Sequence, residues 1–288
     1  MSASPSPADR SESACTGADI RLEHVSVAFG EHRIVSDINL HVAAGEFVCL
    51  LGPSGCGKST LLNLVAGFLP ATSGKVSVGG RPVHGPGRDR GVVFQSTEAL
   101  FPWLTVQENV EYGPRMCGVP RSTRADAARR YLELVGLGHA GSRMPGELSG
   151  GMRQRAQIAR VLVNEPSVVL MDEPFGALDA QTREVMQVEV DRIWRATRPT
   201  ILFITHDIWE AILLGDRIIT MTAGPDATFK TVAPVSIPRP RELTAPAALE
   251  LYRDLREDIA SEVRRTLQAQ GLVREGLVRE GSARDAAA

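Results

Sequence analysis

The segment Gly52-Pro-Ser-Gly-Cys-Gly57-Lys58-Ser59 constrains this chain more than any other. It follows an unbroken apolar run, Phe47-Val48-Cys49-Leu50-Leu51, whose length predicts a buried strand. It precedes an apolar-periodic segment, Lys58 to about Leu69, that predicts a helix. A glycine-rich turn between those two elements lets several backbone N–H groups converge on one anionic centre, and the helix N-terminus adds partial positive charge. The GxxxxGK[ST] spacing lets Lys58 reach the β- and γ-phosphates of a nucleotide and Ser59 ligate Mg²⁺. Gly52, Pro53, Ser54, Gly55, Cys56, Gly57 and Thr60 complete the phosphate site. Glycine-rich strand-to-helix turns also occur without ligands. The Lys-Ser pair and both flanking elements together imply a nucleoside triphosphate.

Composition sets the frame around that motif. The 288 residues carry a net charge of -2, with 43% hydrophobic and 23% charged residues, as in ordinary globular proteins. At roughly 100–200 residues per domain the chain holds one large domain or two modest ones, and needs no disulfide or metal to fold. The near-neutral balance argues against a nucleic-acid partner, whose phosphates demand excess Lys and Arg. No run approaches the roughly 18–20 apolar residues that cross a bilayer, and Val168-Val169-Leu170-Met171 is of strand size. The first residues lack the basic and apolar regions of a secretory signal, so the chain is expected in the cytoplasm. Cys15, Cys49, Cys56 and Cys117 form no CxxC pair and no metal-like spacing, and read as buried or incidental thiols.

Met1 to about Ala18 is rich in Ser, Pro and Ala and predicts a disordered leader. Val25, Val27 and Phe29 then alternate as in a half-buried strand. Further apolar runs stand at Gly91–Phe94, Ser167–Met171, Thr200–Thr205 and Arg217–Thr222, with a helical pattern over Thr182–Arg195. Strands alternating with helices predict an α/β fold whose mainly parallel sheet is covered on both faces. Between about Ser96 and Arg160 strand signal vanishes, which predicts an inserted helical subdomain; Thr123-Arg-Ala-Asp126 resembles a capping box opening a helix through Leu134. Ala248, Tyr252, Leu255, Ile259, Val263 and Leu267 form the stripe of an amphipathic C-terminal helix. The duplicated GLVRE at 271–280 is too short for a structural repeat and reads as a frayed tail.

A phosphate site of this kind needs a metal partner, and Val168-Val-Leu-Met171-Asp172-Glu173 supplies acids at the end of a second buried strand. Asp172 is placed to hold the metal through its water shell, and Glu173 to orient or deprotonate an attacking water. Beside the phosphate motif, the pair implies hydrolysis rather than transfer to an organic acceptor.

Nucleotide motifs of this kind serve kinases, GTPases, helicases and transport ATPases alike, and Leu148-Ser149-Gly150-Gly151-Met-Arg-Gln154-Arg155 discriminates among them. This string resembles the signature of the ATP-binding-cassette (ABC) ATPases, and lies in the right order between the phosphate motif and Asp172-Glu173. Gln95, which ends the run Gly91–Phe94, resembles that family's Q-loop glutamine, implied to link metal and water to the helical insert. Asp179 in Ala177-Leu178-Asp179 resembles its D-loop, His206 its γ-phosphate switch histidine, and Phe29 the aromatic that stacks on adenine, where Tyr is commoner. The resemblance runs from about Ile20 to about Pro240. It implies a P-loop NTPase core with an N-terminal antiparallel β subdomain and the helical insert, binding ATP with Mg²⁺ at Ser59, Gln95 and Asp172. It further implies a homodimer in which each ATP lies between Lys58 and Ser59 of one chain and Leu148, Ser149, Gly150, Gly151 and Gln154 of the other. Residues 19–240 would form the cassette, and 241–288 a C-terminal helix and tail.

Trp103 alone reads as a packing residue at a loop–helix junction. Yet Leu100-Phe-Pro102-Trp103-Leu-Thr-Val-Gln-Glu-Asn109-Val110, with Ile237-Pro-Arg-Pro-Arg241, is similar to the nitrate/sulfonate/taurine importer branch of the family. That branch implies uptake of a small anion or sulfur compound and attachment to the cytoplasmic face of the inner membrane. Its partners would be permease subunits gripped by Gln95–Gly118 and an extracytoplasmic solute-binding protein. Trp209 stands where the branch commonly has a polar residue. A DNA-repair or translation ABC protein would need a long coiled coil or a second cassette, a GTPase an NKxD motif, and none is present. A stand-alone regulatory ATPase, with the C-terminal helix as its handle, stays open.

Overall fold

Five of the apolar runs, with one strand the sequence did not signal, β10, form a six-stranded sheet of order β10-β9-β3-β8-β7-β6. The computed structural model describes residues 17–96 and 99–269. At the centre β3 (Phe47–Leu51) pairs in parallel with β8 (Thr200–Ile204) and β9 (Arg217–Met221). β8 continues in parallel to β7 (Val168–Asp172), and β7 to the edge strand β6 (Arg90–Val93). At the other edge β10 (Phe229–Pro234) is antiparallel to β9.

Alternate residues of the central strands face two separate cores. Phe47, Cys49, Leu51, Met171 and Phe203 pack among the larger set of helices. Val48, Leu50, Leu170, Leu202 and Ile204 pack toward α1 (Lys58–Ala66) and a smaller sheet. Burial on both faces is why these strands read as continuous apolar runs rather than alternating ones. The smaller sheet is antiparallel, of order β2-β1-β4-β5, and comprises β1 (Ile20–Phe29), β2 (His32–Val42), β4 (Ser73–Val78) and β5 (Arg81–Pro82).

Residues 96–160 contribute α2 (Val106–Met116), α3 (Arg121–Leu134) and most of α4 (Gly150–Leu162). The capping box expected at Thr123 is not there. Pro120 precedes the helix, whose first residue is Arg121, so Thr123 lies within the first turn, and Asp126 pairs with Arg129 instead. A capping box does open α2. Thr105 Oγ1 accepts from the Glu108 N–H at 3.2 Å, and Glu108 Oε2 accepts from the Thr105 N–H at 2.8 Å. Helix α1 ends at Ala66, short of the expected Leu69, because Gly67 turns left-handed at φ 80° and caps it.

Toward the C-terminus run α5 (Ala180–Thr197), α6 (Ile208–Leu214) and α7 (Pro246–Ala269). Ala248 and Leu255 of the expected stripe are buried in α7, but near its end Glu262 is buried and Val263 is exposed. Glu262 accepts from the Ala223 N–H at 3.0 Å and pairs with Lys230 at 3.0 Å, which accounts for a buried carboxylate there. Gly17 and Ala18 are tied to the body by N–H bonds to the Arg198 and Ser167 carbonyls. Residues 1–16, including Cys15, and the GLVRE pair lie outside the described residues. Cys49 and Cys56 are buried free thiols, whereas Cys117 is free and exposed. Among the described residues no helix is long and apolar enough to cross a membrane.

Candidate functional site

Chemistry-bearing residues gather where the parallel strands end, which is where α/β sheets of this kind bind ligands. A cleft of about 390 Å³ opens there, lined by Phe29, Ser54, Gly55, Gly57, Lys58, Ser59 and Thr60 from one side. Gln95, Asp172 and Glu173 line it from the other. Gly57 has φ 91°, and a Cβ on it would come 2.6 Å from Val35 Cγ1, so only glycine fits at this turn. Lys58 is nearly buried, and its Nζ donates to the carbonyls of Gly52 and Pro53, both at 2.8 Å. The ammonium is thereby held inside the loop. Phe29 lines the cleft and stands 54% exposed, unlike its buried strand neighbours Val25 and Val27.

Asp172, the last residue of β7, is hydrogen-bonded by the Ser59 hydroxyl. Burial raises its pKa above the usual carboxylate value; the Ser59 bond opposes that rise, Glu173's charge adds to it, and Lys58 counters it. Glu173 follows in a left-handed backbone conformation, φ 45°, with its N–H bonded to the Ile204 carbonyl at 2.9 Å. That turn brings two further groups onto one oxygen. Gln95 Nε2 donates to Glu173 Oε2 at 3.0 Å, and His206 Nδ1 lies 3.3 Å from the same atom. Residues 78 and 33 positions away from Glu173 in sequence thus converge on a single carboxylate.

The signature string lies outside this cleft. Ser149 caps α4, its Oγ accepting from the Met152 N–H at 3.3 Å, with Gly150 and Gly151 opening the helix beside it. Leu148 is buried and belongs to the core. Gln154, expected on the nucleotide-facing surface, is fully buried and donates to the Phe94 carbonyl at 3.2 Å. It therefore braces the chain before Gln95 from within. Gln157, one turn on and unmarked in sequence, does likewise. It accepts from the Phe94 N–H and donates to the Ser96 carbonyl at 3.0 Å. Two buried glutamines at i, i+3 on one apolar helix face were the signal for this bracing role. Asp179 caps α5, accepting from the Thr182 N–H at 2.9 Å and hydroxyl at 2.7 Å. The Thr182 N–H bond leads the effects that lower its pKa.

A second cleft, of about 640 Å³, is lined by Phe101, Tyr112, Met116 and Cys117 of the Gln95–Gly118 region with Arg88 and Arg160 around them. Trp103 lies on the same segment, with its ring centroid 5.4 Å from that of Phe101, and is 70% exposed. It is therefore no packing residue within this chain. Ile34 and Ile204 line the first cleft without having been singled out, because lone apolar residues at strand ends carry no motif.

The chain is similar in sequence and fold to known proteins. Residues 35–176 match the family model described as ABC transporter. The nitrate import ATP-binding protein NrtD of Synechococcus elongatus is 47% identical over 80% of this chain and 84% of its own length. The bicarbonate transport ATP-binding protein CmpD of Synechocystis is 45% identical over 79% and 82%. The taurine import ATP-binding protein TauB of Jannaschia is 48% identical over 75% and 81%. Among solved structures, the ATP-binding cassette MJ0796, a dimer in a post-hydrolysis state bound to ADP and Pi, superposes with a TM-score of 0.67. It is 31% identical, over 75% of this chain and 98% of its own. The fold, the cleft and these likenesses agree: the chain belongs to the ABC transporter family, as an ATP-binding subunit with ATPase activity.

Proposed function

We propose that this chain is the motor subunit of an importer, hydrolysing ATP at the interface of a head-to-tail homodimer on the cytoplasmic face of the inner membrane. The observation that carries the reading is the convergence of Gln95 and His206 on Glu173 Oε2 beside Lys58 and Ser59, while Ser149, Gly150 and Gly151 do not line that cleft. One chain holds the hydrolytic groups and a separate helix N-terminus suited to a phosphate. A second copy brings the two together.

In that dimer the P-loop N–H groups and Lys58 bind the phosphates, and Phe29 stacks on the base. Glu173 accepts the proton of the attacking water at its carboxylate, oriented by Gln95 and His206. Ser149 keeps its hydroxyl proton free for the partner's nucleotide while its oxygen caps α4. The donor set fits Mg²⁺: a hydroxyl and a half-buried carboxylate lie in direct contact, with the Gln95 amide at the rim. Ser59, Asp172 and Gln95 would hold the ion, which when bound neutralises phosphate charge.

The cleft around Phe101 and Tyr112, with exposed Trp103 beside it, supports docking of a permease segment. Relatives named for nitrate, bicarbonate and taurine import support a small anion or zwitterion as the solute, an aliphatic sulfonate, taurine or nitrate-like anion, delivered by a binding protein. Glu173→Gln tests the hydrolytic assignment. The variant is expected to bind ATP as tightly as the parent and to elute as a dimer with ATP. Its turnover should fall by roughly 10²–10⁴-fold. Parental turnover would remove Glu173 as the base.

A further inference from the structure

Two sequence features stand outside the hydrolytic chemistry, namely Trp209 and the C-terminal helix. The structure brings them face to face. The rings of Trp209 on α6 and Tyr252 on α7 stack with centroids 4.2 Å apart and planes 11° from parallel. Both pack against the core that contains Ala248 and Leu255 of α7.

Helix α6 is seven residues long, far too short to hold itself. It is held at both ends and at its buried Glu210. Arg241, in the Ile237-Pro-Arg-Pro-Arg241 string, donates through Nη1 to the carbonyls of Ile212, Leu213 and Gly215 at 2.9, 3.0 and 2.7 Å, closing its C-terminal end. At the other end Asp207 Oδ1 accepts from the Trp209 N–H at 2.8 Å. Within the helix, buried Glu210 accepts from the Thr205 hydroxyl at 2.6 Å and from Gln187 of α5 at 3.2 Å. Thr205 and Asp207 flank His206, and the Asp207 N–H donates to Thr205 Oγ1 at 3.0 Å. Both chain neighbours of His206 are thus fixed to α6. Its own side chain is 71% exposed and reaches Glu173 across the cleft. Where α6 sits therefore decides where the imidazole sits.

We infer that Trp209 and Tyr252 are positioning residues for ATP hydrolysis: α7 holds α6 through the stacked rings, and α6 holds His206 against Glu173 through Glu210 and Thr205. The inference rests on the roles proposed for Glu173 and His206. Displacing a reacting group by about 1 Å can cost on the order of 10²-fold in rate, so a modest shift of α6 is enough to be read in turnover.

Steady-state ATPase kinetics of the full chain test it. Trp209→Ala and Tyr252→Leu are each expected to lower kcat by about tenfold, with KM for MgATP within about twofold of the parent. Trp209→Phe, which keeps a flat ring, should restore most of the rate and serves if the alanine variant does not fold. In a His206→Ala background Trp209→Ala should lower kcat no further, whereas simple loss of fold would lower it again. Parental kcat in both Trp209→Ala and Tyr252→Leu, or an equal further loss in the His206→Ala background, would overturn the inference. Full activity of His206→Ala alone would instead overturn the proposed role of His206.

Discussion

Asp172 ends a strand whose other side chains are all apolar, and its ionisation registers the cost. Burial raises its pKa, and the neighbouring Glu173 charge adds to the rise, so the charged form is disfavoured in the folded chain. A carboxyl whose folded pKa lies above its unfolded value favours the fold at low pH, and that advantage is lost as pH rises through the folded pKa. The proposed role of Asp172 toward Mg²⁺ needs the charged form, which is the form the free chain disfavours. Asp172→Asn should accordingly melt higher than the parent without nucleotide, by a margin that widens from about pH 4 to about pH 7, while MgATP hydrolysis collapses. Thermal melts across that range, with turnover at neutral pH, check both halves. A lower Tm at neutral pH would show that the Ser59 bond and Lys58 outweigh burial.

Element boundaries in this chain turn on small local choices. The Thr105–Glu108 box satisfies the first donors of α2, whose far end lines the apolar cleft near Phe101. Thr105→Ala should destabilise the fold by about 1 kcal/mol, read as a lower urea midpoint at unchanged slope. The same S/T-x-x-E/D pattern occurs at Thr123, where the helix has already begun at Arg121, after Pro120. The pattern cannot be ranked without knowing which residue enters the helix. Five strands of the large sheet were legible as apolar runs, β3, β7 and β8 because both of their faces are buried, whereas the half-exposed edge strand β10 carried no such run. The small sheet was legible only in part. β1 carries register irregularities between Leu22 and Ala28 that break the period, and β2 mixes Ser36, Asp37 and Asn39 among its apolar positions. Gln154 shows the complementary failure. Its place in a motif suggested a surface role, whereas its partner, the Phe94 carbonyl, is 60 residues away and contributes nothing to local pattern.

At the scale of the molecule, the signature residues do not line the cleft, and in the proposed head-to-tail dimer a complete site belongs to a pair. Lys58→Ala destroys the phosphate half of a site and Ser149→Arg the opposite half. Each alone should be inactive, yet a mixture that re-forms dimers should regain up to about a quarter of parental turnover, since half the dimers carry one intact site. Mixing the purified variants and measuring phosphate release checks this, and no recovery would argue that both sites must be intact together. The backbone at Glu173 sets a different limit. A left-handed conformation in a residue with a Cβ costs on the order of 1–3 kcal/mol, which glycine would relieve. The position that aims the carboxylate at its two neighbours is thus one where the folded chain would be more stable with no side chain at all. Selection for folding and selection for turnover pull this residue in opposite directions. A variant chosen for heat tolerance alone can improve here by discarding its chemistry.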